Sequence, residues 1–236
     1  MRAWLPLLLC AAASAQAATV AIDVGHFIEA PGATSARGRP ELDFNRDLAV
    51  AVEAAAQGRG LKTLLIGYDG FMSQLTHRTA AAAGADFFLS VHHDSVQPYL
   101  LQTWEYDLVQ RPYSDLHSGF SLFISRKNRA LKRSLACASA IGVALRAAGF
   151  SPSLYHAEAI PGENKPFADK ANGVHYYDNL IVLKSARTPA VLLEAGVILN
   201  RDEDLKMRSE EVQRRIAGAV AQGLTRCLVP QRRGPL

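Results

Sequence analysis

Short runs of apolar, β-branched and aromatic residues recur along the chain at 19–24, 61–66, 87–91, 120–125, 180–183 and 190–193. Most lack strict polar–apolar alternation, the pattern of strands buried on both faces of a largely parallel sheet. Between them, apolar positions return at helical spacing over 43–57, 74–83, 128–148 and 210–227. Ser209 stands where a cap belongs, ahead of Glu210 and Glu211 in a first turn, and Gly60, Gly84 and Gly149 follow helical stretches. Strands alternating with helices predict a single α/β domain, with a central, mostly parallel or mixed six-stranded sheet flanked by helices. Two loop-rich stretches, 97–118 and 151–179, interrupt the pattern. Loops of that length in a compact domain usually carry function or mobility.

Composition narrows the class. With 236 residues, 49% of them apolar or aromatic and 20% charged, the chain can bury one large core, and a disordered tail is excluded. A net charge of +4 permits an anionic partner but does not call for nucleic acid. No apolar run is long enough to span a membrane. The amino terminus reads Met1-Arg2-Ala3-Trp4, then an apolar run over 5–13, then Ser14-Ala15-Gln16-Ala17. That order predicts a secretory signal cut after Ala17, and hence export to the periplasm or cell wall. Cys137 and Cys227 remain, and an oxidising compartment permits a disulfide between them. Two cysteines are not a disulfide framework, and the favoured reading is a pair of buried thiols on separate helices.

Polar groups gather just past the strand ends, where open α/β sheets place their sites. The first strand runs into Gly25-His26, the third into His92-His93-Asp94, and the last into Glu194. Glu41 stands at the entrance of the first helix. Two imidazoles and a carboxylate suit zinc, whose catalytic sites take three protein ligands and leave a position for water. His26, Glu41 and His92 meet that requirement, with Glu194 free to accept a proton. The spacing His-x14-Glu-x50-His is long-range. By itself it leaves open both a metal site and an unrelated scatter of polar strand ends. Successive strand side chains point to opposite faces, so His92 and His93 cannot readily share one ion.

At these residues the chain resembles a known family. Ile22-Asp23-Val24-Gly25-His26, Glu41-Leu42-Asp43-Phe44-Asn45, Leu75-Thr76-His77-Arg78, the block from Gly84 to His92, the block from Gly119 to Ser125 and the block from Pro189 to Asn200 occur in the order found in zinc-dependent N-acetylmuramoyl-L-alanine amidases of type 3. These blocks span nearly all of 18–230, the expected catalytic domain. The resemblance implies hydrolysis of the amide between the lactyl group of N-acetylmuramic acid and the L-alanine of the peptidoglycan stem peptide. It also implies that His26, Glu41 and His92 hold Zn²⁺ and that Glu194 is the catalytic glutamate.

The pattern has departures. Phe27-Ile28-Glu29-Ala30 stands where the family commonly has a Gly-Gly pair and an Asp, which puts the cleft wall there in doubt. The stretch from Gln102 to His117 has no general counterpart; its aromatics can stack on sugars or form a local cluster, the latter favoured. His93, Asp94, His156 and Glu158 are candidate substrate contacts, the last two in a polar loop expected to grip the stem peptide. Division-associated relatives carry a plugging helix after the strand ending at Ser125, whereas here Ser125 runs straight into Arg126-Lys127-Asn128. An enzyme active without an obligatory activator, and monomeric, is therefore expected. Arg126, Lys127, Arg129, Lys132 and Arg133 form a basic cluster, read as a solvated helix face in preference to a surface for anionic wall polymers. Two other functions stay open: a zinc peptidase acting within the stem peptide, and a non-catalytic wall-binding protein on the same scaffold.

Overall fold

A computed structural model describes residues 16–228. The export segment expected over 1–17 therefore lies almost wholly outside the described residues.

Seven strands form one mixed sheet in the order β2-β1-β3-β9-β6-β8-β7. β1 (Thr19–Val24), β2 (Lys62–Ile66), β3 (Phe87–Asp94) and β9 (Ala190–Val197) run parallel. β6 (Ser121–Ile124) pairs antiparallel to β9, β8 (Val174–Tyr176) runs parallel to β6, and β7 (Phe167–Asp169) closes the edge antiparallel to β8. In β3 and β9 nearly every residue is buried, because both faces of the sheet are covered.

The pleat sorts these residues into two layers. Ile22, Leu89, Val91, Leu193 and their neighbours face α1 (Glu41–Gln57), α3 (Leu131–Ala147) and α6 (Glu210–Leu228), which form the larger core. On α1, Leu42, Leu48, Ala49, Val52 and Ala56 recur at helical spacing and are buried there. Phe88, Leu192 and Phe123 face the other way, into a smaller layer with α2 (Leu75–Ala81) and α4 (Ile181–Ser185). α5 (Arg201–Arg208) begins at Asn200, whose side chain accepts from the N–H groups of Asp202 and Glu203.

Three expectations are corrected. Residues 180–183 are not a strand: Ile181–Ser185 is the short helix α4, with Val182 and Leu183 buried and Ile181 and Lys184 exposed. A four-residue apolar run carries too few positions to separate the two periods. The sheet has seven strands, not six, because β7 and β8, three residues each, lie inside the presumed loop 151–179. Cys137 and Cys227 are not free thiols: they form a disulfide between α3 and α6. The two helices approach closely because Gly223 has no side chain; a Cβ there would lie 2.5 Å from Ile141 Cα.

The other loop-rich stretch holds a hairpin of β4 (Gln102–Tyr106) and β5 (Val109–Tyr113), separate from the main sheet. Its turn residues Asp107 and Leu108 both have positive φ, 53° and 60°. Trp104 is a local cluster residue: the Arg37 and Arg201 guanidinium groups sit over its ring, each 5.2 Å from the centroid, and Tyr106 stacks beside it. Its indole N–H donates to the Ala36 carbonyl at 3.0 Å, bracing the loop between β1 and α1. Among the described residues, no helix is long and apolar enough to cross a membrane.

Candidate active site

His26, Glu41 and His92 arrive from three elements and meet at the carboxyl ends of β1 and β3. His26 lies two residues past β1 with φ 70°, a conformation held from below by Arg78. The buried Arg78 guanidinium donates to Asp23 Oδ1 (2.8 Å), to the carbonyls of Met72 (2.7 Å) and His26 (2.5 Å), and to the carbonyl of Val24. Glu41 opens α1, where the positive end of the helix dipole favours its charge. Its Oε2 lies 2.9 Å from His26 Nε2 and accepts the Ala33 N–H, while Oε1 lies 3.0 Å from His92 Nδ1 and accepts from Asn45 and from the His93 N–H. One donor atom from each of the three residues falls within 4.8 Å of the other two.

Space around the group is set by glycines. A Cβ on Gly25 would lie 2.3 Å from the His92 ring. Gly32, at φ 83°, leaves room for Glu41 Oε2, which such an atom would approach to 2.3 Å. Burial disfavours charge on Glu41, but the hydrogen bonds and charges of His26 and His92 outweigh it and hold the carboxyl far below the ordinary range. Burial likewise opposes protonation of His26, and the Glu41 carboxylate overcomes it, leaving His26 above its usual value. A buried carboxylate kept anionic between two imidazoles is a donor set that fits a zinc ion.

Glu194 sits opposite His92 in the β3–β9 register, on the same face of the sheet. Its Oε2 is buried and has no hydrogen-bond partner. Burial raises its pKa well above the carboxylate range, and the charges of Asp94 and Glu41 add to that. His92 and Glu194 line a cleft of about 480 Å³ with Asp94, Phe123, His156 and Lys165.

The four candidate substrate contacts separate. His93 points to the α1 side, where Nδ1 lies 2.8 Å from Asn45 Oδ1 and the ring packs by Phe44; burial pushes its pKa down to about 3. Its side chain does not line the cleft. Asp94 and His156 do line it, bound to each other: Asp94 Oδ2 is 2.7 Å from His156 Nε2, and His156 Nδ1 is 2.8 Å from Glu163 Oε2. Both ring nitrogens are thereby used, so His156 clasps the loop onto β3 and has no free donor for a ligand. Glu158 is exposed, 3.6 Å from His117, and lies outside the cleft.

Gln97, Glu163 and Lys165 also line the cleft. Glu163 accepts from His156, Gln97 and Lys165, and these bonds outweigh burial to bring its pKa to about 2. Glu163 and Lys165 belong to the polar loop noted in the sequence, but nothing local shows which of its groups turn inward. Arg78 was visible only within a family block.

Fold and site together define a hydrolase of the α/β type, with its polar centre at the carboxyl rim of the parallel strands. The chain belongs to the N-acetylmuramoyl-L-alanine amidase family, whose profile matches residues 20–226. Solved structures agree in fold. The N-acetylmuramyl-L-alanine amidase of Mycobacterium smegmatis is 22% identical at a TM-score of 0.71, covering 91% of this chain and 98% of that one. The amidase of Clostridium difficile 630 is 20% identical at 0.68, covering 90% and 97%. The catalytic domain of an amidase from Bacillus (Paenibacillus) polymyxa is 25% identical at 0.66, covering 89% and 97%. A search of curated proteins finds no match. The protein is an N-acetylmuramoyl-L-alanine amidase, acting on peptidoglycan.

Proposed function

We propose that His26, Glu41 and His92 hold a zinc ion and that Glu194 is the proton carrier of the amidase reaction. The observation that carries this reading is Glu194 Oε2, buried, unpartnered and facing the same cleft as His92. A bound zinc ion supplies acidity to a water molecule and polarises the scissile carbonyl. Glu194, which burial makes a stronger base than an exposed carboxylate, would take a proton from water as the water oxygen bonds to the lactyl carbonyl carbon, and would pass it to the L-alanine nitrogen as the C–N bond breaks. Asn45 and the His93 N–H hold the Glu41 carboxylate in place for the ion. Phe123 and Leu192 give the cleft an apolar floor that limits water around Glu194.

In this reading the segment 1–17 directs export, and 18–230 is the catalytic domain. The enzyme works as a monomer and without an activator; the short connection of β6 to α3 over residues 125–130 supports the second of these. The test is mass spectrometry of products from purified peptidoglycan with metal-loaded protein. Release of intact stem peptides bearing a free L-alanine amine is expected, with Glu194→Gln keeping its zinc and losing cleavage by at least about 100-fold. Fragments cut within the peptide would indicate a zinc peptidase instead. Zinc retention with no cleavage by the wild type unless a partner is added would refute activator independence.

A further inference from the structure

The far rim of the sheet carries a feature that the amidase reaction does not use. β6 runs antiparallel to β9, so the turn after Ile124 and the chain entering β9 at Ala190 meet at the sheet end opposite His26 and His92. Along β9, Ala190 and Glu194 are separated by about 13 Å at ~3.3 Å per residue.

Two turns are joined here by one buried amide. Asn128 Nδ2 donates to the carbonyls of Leu183 (2.9 Å), Ala186 (3.3 Å) and Thr188 (3.1 Å), and Asn128 Oδ1 accepts the Ala130 N–H. That staple fixes the basic residues beside Asn128 against those of the second turn. The result is a recess of about 510 Å³ lined by Lys127, Arg129, Lys184 and Arg187, with Ser185 and Ala186 and no carboxylate. Asp178 is engaged by Arg126 through a 2.6 Å ion pair and also interacts electrostatically with Lys127, so it offsets the recess charge only at that edge. Among the described residues, none of the four lining cations is in an ion pair; the Lys127 ammonium donates to the neutral Asn179 side chain. The charge continues onto α3, whose first turn has no acidic residue and carries Lys132 and Arg133, although a helix start favours the opposite sign.

We propose that this recess is a binding site for a phosphate-bearing polymer, separate from the catalytic cleft. Guanidinium forks match phosphate oxygens in pairs, and lysines add compact point charges. Four cations around one recess suit a group carrying dense negative charge. The continuation through Lys132 and Arg133 suits a chain of such groups. A concave wall favours a polymer strand that can enter it over a flat lipid surface. Occupying this rim leaves the cleft open, so the site retains the enzyme on an anionic matrix while the reaction proceeds elsewhere.

The test uses the full mature protein with soluble inorganic polyphosphate as probe, followed by calorimetry at two salt concentrations. The expected result is binding that weakens steeply with salt and falls at least about tenfold in Arg129→Ala/Lys184→Ala/Arg187→Ala. Arg214→Ala, on the exposed face of α6, is expected to bind as the wild type does. Cleavage of a soluble muramoyl-peptide by the triple variant is expected to be unchanged, which shows that the variant is folded. Absence of polyphosphate binding at low salt, or equal binding by the triple variant, overturns the proposal. So does triple-variant-sensitive binding to phosphatidylglycerol vesicles without binding to polyphosphate, which would make the rim a membrane-contacting surface.

Discussion

The Arg78 guanidinium donates to the main-chain carbonyl of His26 across 52 positions of sequence, so a buried cation on α2 sets the backbone of a residue in the metal-site group. The same side chain neutralises buried Asp23. Arg78→Met leaves that carboxylate unpaired and is expected to cost about 3–5 kcal/mol in urea unfolding. Arg78→Lys retains a charge but not the fork that reaches several acceptors. It should keep more of the stability than Arg78→Met, yet bind less zinc than the wild type. Full zinc occupancy in Arg78→Lys would show that the His26 backbone does not need this support.

Gly25 is a second point of control. Alanine there would press on the His92 ring, so Gly25→Ala is expected to lower zinc content and reduce cleavage at least about tenfold. Gly218 on α6 has open space around it, and Gly218→Ala should leave activity intact while adding about 0.5–1 kcal/mol of stability. Metal stoichiometry and unfolding midpoints on the two variants separate a site effect from a general one.

The Asp94–His156–Glu163 clasp gives a signed pH dependence. Burial alone would lower the His156 pKa, but the charges and hydrogen bonds of Asp94 and Glu163 raise it to about 9, against 6.5 for the ordinary group. A group whose pKa rises on folding stabilises through its protonated form. That contribution is complete below pH 6.5 and is lost as the pH climbs through 9. The shift corresponds to about 3 kcal/mol. Unfolding of the wild type and His156→Gln near pH 6 and near pH 10 should show a wild-type advantage at the lower pH that largely disappears at the higher. An advantage of equal size at both would mean that the clasp works with neutral histidine.

The disulfide is expected to contribute about 2–5 kcal/mol, as for a bridge closing a loop of this length. Cys137→Ser/Cys227→Ser should unfold at a lower urea concentration than the oxidised wild type and be indifferent to reductant. Reduction of the wild type should bring it to the same midpoint.

Long elements could be read from the residues because each has a local cause, whereas the grouping of His26, Glu41 and His92 became legible only through the family blocks that contain them. The apolar runs of β1, β3 and β9 state their burial directly, and α1 shows its buried stripe at helical spacing. His26, His92 and Glu194 stand at or near strand ends, where the topology gathers them. Other elements depended on partners distant in sequence. β7 and β8 are edge strands of three residues, too short to show a period. The β4–β5 turn uses Asp107 and Leu108 at positive φ without the glycine that usually marks such a hairpin. Asn200 and the acidic first turn of α5, by contrast, form a start signal visible in the sequence itself. His156 became a clasp only because Asp94 and Glu163 reach it from either side, which no local pattern encodes.

The Cys137–Cys227 bridge also divides the chain by how it tolerates a cut. Glu194 and the loop carrying His156 lie inside the covalent ring, whereas His26, Glu41 and His92 all precede it. A protease that nicks the cleft loop between 151 and 166 therefore leaves one covalently joined molecule, with both halves of the active site still tethered. A nick in the β4–β5 hairpin instead releases the three presumed zinc ligands from the glutamate they serve, with only packing to hold the pieces together. The molecule is thus protected against the first kind of damage and exposed to the second at its hairpin tip, where Leu108 is 91% exposed.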